Sequence, residues 1–589
     1  MEKAVLIQKA NEYILLEKTD VFKNQVKNLL AKSDFNELNE RFYTELEFGT
    51  GGIRGVIGGG YNRINSYIIR KTTQGLANYI KKAIGDRQQA SVAIAYDSRR
   101  FSSEFALESA CVLCGNGITT YLFSGLRPTP ELSFAVRSLG ATAGIVITAS
   151  HNPAEYNGYK VYWSDGGQII APHDKEIVAE VAKVKGSAIS SFSKEDAVSS
   201  GLLVYINEEI DAKFIDTVKR CSLRPGLIRE KGKNVLAVYT PLNGAGAMPV
   251  ERALSEMGIK VLFVEEQKAP DGDFPTLAFP NPEEASAMKL ALELARKVRA
   301  DIVLGTDPDA DRLGIAVPDG TDFKLITGNQ LGALLLDYIL STRRELGSLP
   351  QNGVIVKTIV TTELQAAIAR DYQVDCVDVL TGFKYIAEKI RRFESEKNGP
   401  TYLFGGEESY GYLVHTAARD KDAVSAATLA VEMALYHVSR GSTVIGRLRE
   451  LYEKYGYFEE TQVSKYFKGA SGHTIMSGLM TGLRSKPPSY IGGNAVLQLK
   501  DFKNRTTLSV RAGTKTKDID LPPSNVLQFL CDDLSIITAR PSGTEPKIKF
   551  YASCRGPAGM PFIQALELVG KKIVAIKLDL NRIIAGVSL

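Results

Sequence analysis

The chain has 589 residues, too many for one hydrophobic core, and at about 150 residues per domain it divides into roughly four. Apolar residues at 44% and charged residues at 24% are ordinary for a water-soluble folded protein and argue against both a disordered chain and a membrane protein. The 72 basic and 67 acidic side chains are interspersed, with a net charge of +5, so no concentrated tail for nucleic acid stands out and small anionic substrates remain compatible.

Residues 1–18, MEKAVLIQKANEYILLEK, carry charges every few positions and predict an amphipathic helix, not a signal peptide. No run reaches the ~18 apolar residues of a spanning helix. The best candidate, Ala423 to Val431, stops at Glu432, and the chain reads as cytoplasmic with no membrane partner. Six cysteines form no disulfide framework. Cys111 and Cys114, in SSEFALESACVLCGNG, read as buried helix residues.

Further along, short β-branched runs alternate with helical patterns, the order expected of parallel α/β units. ASVAIAYDSR, TTYLFSG and TAGIVITAS predict strands separated by helices near 102–116 and 130–139. The layout returns as NVLAVYT, a helix over 246–257, KVLFVEE, a helix over 283–298 and ADIVLGTD. It returns again as GVIVKT, a helix over 362–370, VDCVDVL, a helix over 383–393 and TYLFGGEES. Beyond about residue 450 the order changes: a helix over 443–455, strand-like FEETQVSKYF, another helix, then LQLKDF, LSIITA, IKFYAS and a closing helix over 562–577. The expectation is an α/β protein: three α/β domains over 1–205, 206–325 and 326–450 with parallel or mixed sheets, then an α+β domain over 451–589.

In such sheets ligands bind at the carboxyl ends of strands, which nominates the polar loops there. Thr148-Ala149-Ser150-His151-Asn152-Pro153 follows GIVI. A bare serine hydroxyl is a poor nucleophile, but a phosphorylated one is a dianionic phosphoryl donor that His151 and a metal can hold. The same residues also suit an Asn-Pro turn with a capping serine. In Gly305-Thr306-Asp307-Pro308-Asp309-Ala310-Asp311-Arg312, aspartates at i, i+2 and i+4 share a side if the backbone is extended, and three such carboxylates call for a hard cation, magnesium or calcium. An EF-hand is excluded, because its glycine and glutamate positions hold Arg312 and Pro318. A solvated acidic turn is the plain alternative.

Gly405-Gly406-Glu407-Glu408-Ser409-Tyr410-Gly411-Tyr412 offers acceptors and a donor suited to vicinal sugar hydroxyls. Arg419-Asp420-Lys421-Asp422 sets a lysine among carboxylates, either a proton-transfer group or a surface charge cluster. Arg540-Pro541-Ser542-Gly543-Thr544-Glu545-Pro546 combines arginine, hydroxyls and glycine as a phosphate cradle, with Lys549 adding charge. Arg54 lies on the pliable Gly49-Thr50-Gly51-Gly52-Ile53-Arg54-Gly55. GxxxxGK[ST], HExxH and GxGxxG are all missing, which removes support from nucleotide kinases, zinc proteases and nicotinamide enzymes.

Taken in order, GTGGIRG, TASHNP, GTDPDADR, GEESYG and RPSGTEP resemble the successive active-site motifs of the α-D-phosphohexomutase superfamily over nearly the whole chain. The resemblance implies four domains around a central cleft, with Ser150 as the phosphoserine and Ser150, Asp307, Asp309 and Asp311 as ligands of magnesium. It implies Glu407 and Ser409 as sugar contacts, with Arg312, Thr381, Gly382 and Lys549 also among the substrate-binding positions. Arg540, Ser542, Gly543 and Thr544 would hold the non-reacting phosphate, and Arg54, His151, Lys160 and Lys421 match catalytic positions.

The implied reaction is phosphoglucomutase activity, glucose 1-phosphate to glucose 6-phosphate through glucose 1,6-bisphosphate, which also serves as activator. Lys421 is the candidate for proton exchange with the sugar hydroxyl; Lys160 either shares that role or acts as a fixed charge. GEESYG is similar to the loop of phosphoglucomutases, whereas RPSGTEP is closer to the branch that includes phosphopentomutases and glucose-1,6-bisphosphate synthase. Phosphopentomutase and phosphomannomutase activity therefore stay open, as do a metal-dependent sugar-phosphate phosphohydrolase and a non-catalytic sensor. The expected partners are sugar phosphates, and the chain is expected to be a monomer or a small homo-oligomer.

Overall fold

The computed structural model describes residues 1–49, 51–85, 89–467, 472–542 and 547–586. Two compact units result: residues 1–327, 387–397 and 410–436 form the first, and residues 328–386, 398–409 and 437–589 the second.

The first unit opens with the helices Lys3–Leu16, Asp20–Ala31 and Phe35–Phe42, of which sequence reading anticipates only the first. Their inward faces carry Tyr13, Phe22, Val26, Leu38 and Phe42. Tyr13 sits edge-on to Phe42, Tyr61 and Tyr67, at 5.8, 5.7 and 6.2 Å between centroids. Buried Glu17 accepts the Tyr13 hydroxyl and the Tyr67 N–H, both at 3.0 Å, so its buried carboxyl is hydrogen-bonded.

The first sheet comprises β1 (Gly52–Val56), β2 (Ser91–Tyr96), β3 (Thr119–Phe123), β4 (Ala143–Ile147), β5 (Tyr156–Trp163) and β6 (Leu203–Ile206), in the order β1-β5-β4-β2-β3-β6. From β4 to β6 its neighbours run parallel, while β5 is antiparallel to both β4 and β1. β2 and β4 are almost wholly apolar because both faces are covered. Leu76, Phe105 and Leu113, from the helices Ser66–Ile84 and Ser102–Gly115, belong to the core on one face; Leu132 and Val136, from Thr129–Ser138, pack with Phe123 and Tyr162 on the other. Cys111 and Cys114 are buried on Ser102–Gly115 as expected, and burial pushes the Cys111 thiol up to about 11, far from thiolate chemistry.

The second sheet has β7 (Leu236–Thr240), β8 (Lys260–Phe263), β9 (Ile302–Thr306), β10 (Leu313–Asp319) and β11 (Asp322–Ile326), ordered β11-β10-β9-β7-β8. The helix expected over 283–298 forms only at Lys289–Val298. Asn281 and Pro282 start a run of turns, in which the Glu283 N–H bonds the Asn281 side chain at 3.2 Å and the Glu284 N–H its carbonyl at 3.0 Å.

In the second unit, β12 (Gly353–Thr358), β13 (Asp375–Val379) and β14 (Thr401–Glu407) are parallel in the order β13-β12-β14. The short β15 (Gly411–Leu413) belongs again to the first unit. The remaining strands are β16 (Phe458–Tyr466), β17 (Tyr490–Ile491), β18 (Asn494–Asp501), β19 (Thr506–Ser509), β20 (Lys515–Thr516), β21 (Leu527–Cys531), β22 (Ile536–Pro541) and β23 (Lys547–Arg555). They form an antiparallel sheet in the order β16-β23-β22-β21-β18-β19-β20, with β17 beside β18. The closing helix runs past its expected end to Gly586, because Leu580 and Ile584 continue the buried stripe of Ala565, Val569, Ile573 and Ile576. Tyr551, Phe502 and Val526 pack with Ile359, Val360 and Leu380, and Gln528 Nε2 donates to Ile359 O at 3.1 Å, so this sheet is joined to the β12 segment. Among the described residues no helix is long and apolar enough to cross a membrane.

Candidate functional site

At the end of β4 the chain turns sharply through Thr148, Ala149 and Ser150. Ser150 has φ 52°, a left-handed backbone rarely adopted by residues with a Cβ. The Thr148 hydroxyl donates to Asp97 Oδ2 at 2.6 Å and accepts the Ser150 N–H at 2.8 Å. Ser150 is buried, and its Oγ donates to Asp307 Oδ2 at 2.7 Å and lies 3.1 Å from His151 Nδ1. Arg54 Nη1, from β1, donates to Asn152 Oδ1 at 3.0 Å. Burial holds the His151 imidazole well below its ordinary range, reinforced by Arg312, Arg54 and Arg99, so it is neutral at pH 7.

The serine meets the aspartate loop after β9. Extended backbone is not how these carboxylates converge. Asp307 to Asp311 form a tight turn with Ala310 at φ 47°, closed by the Ala310 N–H on Asp307 O at 2.9 Å. Asp307 Oδ1 accepts the N–H groups of Asp311 and Arg312 at 3.1 and 3.0 Å. An extended strand would spread the carboxylates along its length; the turn gathers one oxygen of each within 4.8 Å.

All three aspartates are buried. Burial, followed by the charges of Asp309 and Asp311, raises Asp307 well above the carboxylate range. At Asp309 burial also pushes upward, but Lys160 and the Thr129 hydroxyl outweigh it and hold the carboxyl low. Asp309 Oδ1 and Asp311 Oδ1 are buried without a hydrogen-bond partner among the described residues. Oxygen-only donors, mutual repulsion and two orphaned acceptors fit a hard divalent cation.

Two lysines complete the cluster. Lys160 Nζ, on β5, lies 2.7 Å from Asp309 Oδ2 and 3.4 Å from Asp311 Oδ2. Its own burial lowers its pKa, yet Asp309 and Asp311 more than compensate, so it stays charged. Lys421 Nζ lies 3.1 Å from both Asp311 Oδ2 and Asp420 Oδ1, and the Tyr162 hydroxyl donates to Asp420 Oδ2 at 2.7 Å. Its turn is fixed from behind by Asp422, which caps the helix Ala423–Ser439 through the Val424 and Ser425 N–H groups and accepts His415 Nε2 at 2.8 Å. The Lys421 stem fills the space beside Gly411, where a Cβ would stand 2.1 Å from its Cδ. Arg312 is held by Glu283 Oε1 at 2.6 Å, its Nε 3.8 Å from Asp307 and Asp311.

Ser150, His151, Arg54, Asp307, Asp309, Asp311, Arg312, Lys160 and Lys421 thus gather within one unit. Asp97, Arg99, Thr129, Tyr162 and Glu283 escape the sequence reading. A signal existed for the first two, which follow the apolar β2 as Asp-Ser-Arg just as the serine loop follows β4.

In the second unit, Glu407 ends β14, and its Oε1 accepts the Gly382 N–H at 3.0 Å; Thr381 and Gly382 form the turn after β13. Ser409 follows in the same loop. Arg540 on β22 pairs in register with Lys549 on β23, and the Ser542 N–H donates to Lys547 O at 2.7 Å. Tyr551 hydrogen-bonds Arg540; burial, with Glu408 adding to it and Arg540 opposing, pushes its hydroxyl up to about 12. Gly543 and Thr544 lie outside the described residues.

Family models for phosphoglucomutase/phosphomannomutase α/β/α domains I, II and III match residues 45–187, 212–320 and 327–455. The phosphoglucomutase of Staphylococcus aureus strain MRSA252 is 37% identical over 559 residues, 95% of this chain and 96% of that protein. That of strain MSSA476 is 37% identical over 557 residues, 94% and 96% of the two chains. Among solved structures, the phosphoglucomutase pp63/parafusin of Paramecium, in an open form, aligns with a TM-score of 0.66 at 16% identity over 93% of this chain and 95% of its own. A phosphoglucomutase/phosphomannomutase family protein of Burkholderia thailandensis aligns with a TM-score of 0.64 at 18% identity over 92% and 98%. These two share the fold.

Proposed function

The chain belongs to the phosphoglucomutase/phosphomannomutase family, and on that premise we propose that it interconverts glucose 1-phosphate and glucose 6-phosphate through phosphorylated Ser150. It is a phosphotransferase of the isomerase class. The observation that carries the reading is the 2.7 Å approach of Ser150 Oγ to Asp307 within a buried aspartate triad flanked by Lys160 and Lys421.

Magnesium is the cation of this reading, held by Asp307, Asp309, Asp311 and the phosphoserine. When bound, it withdraws charge from the transferring phosphoryl group. Ser150 stores that group and releases it as a sugar oxygen forms the new bond to phosphorus and the Ser150 Oγ bond breaks. The serine later takes back the other phosphoryl group of glucose 1,6-bisphosphate, so nothing is hydrolysed overall. Lys421 exchanges the proton: as ammonium it donates to the sugar oxygen leaving phosphorus, and as amine it accepts from the attacking hydroxyl. Lys160, kept charged by two aspartates, stays a fixed cation. Neutral His151 and Arg54 orient the serine loop.

In the second unit, Glu407 and Ser409 serve the sugar hydroxyls, with Thr381 and Gly382 beside them. Arg540, Ser542, Gly543, Thr544 and Lys549 serve the non-reacting phosphate. Positioning and electrostatics supply most of the catalysis in such transfers. We also read the chain as four domains divided near 205, 325 and 450, acting in the cytoplasm.

The test is a coupled assay of glucose, mannose, glucosamine and ribose 1-phosphates with magnesium and a trace of glucose 1,6-bisphosphate, alongside a phosphate-release assay. Glucose 1-phosphate is expected to give the highest kcat/KM, with phosphate on Ser150 by mass spectrometry. A fully active Ser150→Ala protein, or phosphate release exceeding isomerisation, refutes the reading.

A further inference from the structure

We infer that the buried pair Asp97 and Arg99 positions the transferring serine, holding the Ser150 turn in the strained backbone that aims Oγ at the aspartate triad; the inference rests on the proposed role of Ser150. The Arg99 side chain is buried below the turn and donates to four of its carbonyls. Nη2 reaches Ser150 O at 2.5 Å and also Asn152 O; Nη1 reaches Pro153 O at 2.8 Å and Tyr156 O at 3.0 Å. A guanidinium presents five N–H donors in a fixed plane, so it can tie carbonyls from Ser150 to Tyr156 to one rigid group, which the point charge of a lysine cannot do.

Asp97 fixes the arginine and the serine together. Its Oδ1 accepts the Arg99 N–H at 2.9 Å and the Ser102 hydroxyl at 2.8 Å, while Oδ2 takes the Thr148 hydroxyl at 2.6 Å and lies 3.4 Å from Arg99 Nε. Thr148 in turn accepts the Ser150 N–H, so both the amide and the carbonyl of Ser150 are tied to this pair. Such bracketing is what a residue at φ 52° requires, because the turn would otherwise relax to a commoner conformation and carry Oγ off its line.

A lid comes from the segment before the aspartate loop. The Phe274 ring lies over the guanidinium, 5.0 Å from its carbon, and Gly272 lies so close that a Cβ would meet Arg100 N at 2.5 Å and Ser98 O at 2.7 Å. The arginine is thereby sealed from water, where its hydrogen bonds to carbonyls are strongest. In-line phosphoryl transfer tolerates little displacement, and a shift of about 1 Å costs roughly 100-fold.

Arg99→Met, Arg99→Lys and Asp97→Asn are to be compared with the parent for kcat, KM and Ser150 phosphate after incubation with glucose 1,6-bisphosphate. Calorimetric binding of Mn2+ serves as the check on the folded site. Arg99→Met is expected to lose about 100-fold in kcat with KM within about threefold and Mn2+ binding retained, because sugar recognition is assigned elsewhere. Arg99→Lys should recover less than a tenth of parental kcat, and its Ser150 phosphate should form more slowly. Should Arg99→Met not fold, Arg99→Lys and Asp97→Asn decide on the same readouts. Parental kcat and parental phosphorylation in these variants overturn the inference, as does a change confined to KM. Absence of Ser150 phosphate in the active parent overturns the reading of Ser150 itself, and the positioning role with it.

Discussion

Glu460 on β16 is a carboxyl whose pH response can be worked out from its surroundings. It stands opposite Ser553 of β23, whose hydroxyl donates to Oε1 at 3.4 Å, and it also bonds to Thr362 and Asn329. Thr362 caps the helix Glu363–Asp371, and its N–H is taken by Asn329 Oδ1 at 3.0 Å, so the carboxyl touches the start of that helix. Burial pushes its pKa from 4.5 up to about 7; hydrogen bonds from Thr362, Ser553 and Asn329 oppose the rise, and the charge of Glu459 adds to it. A raised carboxyl contributes stability that is present below the unfolded value near 4.5 and lost as pH climbs through about 7. The full shift corresponds to about 3 kcal/mol, and residual solvent contact reduces it to about 2 kcal/mol. Glu460→Gln removes the titration. Amide exchange of β16 and β23 suits a chain of this size better than a global melt, because multidomain unfolding is not two-state. Protection in the variant relative to the parent should rise about 30-fold between pH 5 and pH 8. A ratio that stays level with pH refutes the assignment.

Gly411→Ala would put a methyl 2.1 Å from Lys421 Cδ, so the lysine must move. Loss of kcat approaching that of Lys421→Met is expected, within the 100- to 10,000-fold typical of a displaced proton-transfer group, read by the coupled assay. Exhaustive chelation should abolish isomerisation and magnesium restore it, whereas Asp309→Asn should weaken activating Mg2+ at least tenfold by titration. Gln25 Oε1 accepts the Gly59 N–H at 2.9 Å and Arg41 Nη1 at 3.1 Å, on the loop that follows β1 and Arg54. Gln25→Ala is therefore expected to lower stability by about 1 kcal/mol and, through the Arg54 segment that orients the serine loop, to lower kcat more than it raises KM, checked by denaturation and steady-state kinetics.

The strand-end loops were legible because each is a local break in pattern. An apolar run such as GIVI or DIVLG ends in residues whose only plausible work is polar, and chain order alone links them. The path between those polar residues was not legible in the same way. Asp307, Asp309 and Asp311 announce a cation by composition, but the turn that brings them together depends on Ala310 at φ 47°, a position where the sequence shows neither Gly nor Asn. Backbone held in such a region by distant contacts leaves no residue-type mark. The Gly58-Gly59-Gly60 run is the opposite case, a residue-type mark whose cause lies in distant segments. Here a Cβ at Gly59 would stand 2.4 Å from Phe22 O and one at Gly60 2.8 Å from the Arg41 Cβ, so the glycines mark where the N-terminal helices press on backbone. Local chemistry reads directly from a sequence, whereas a close approach between segments far apart in the chain reads only as a residue that is missing a side chain. Asp97 and Arg99 lie between these cases: their place after β2 was visible, but the four carbonyls they serve belong to a turn some fifty residues on. A charged pair that follows an apolar strand is therefore best tested as support for the loop of the neighbouring strand before it is assigned to substrate.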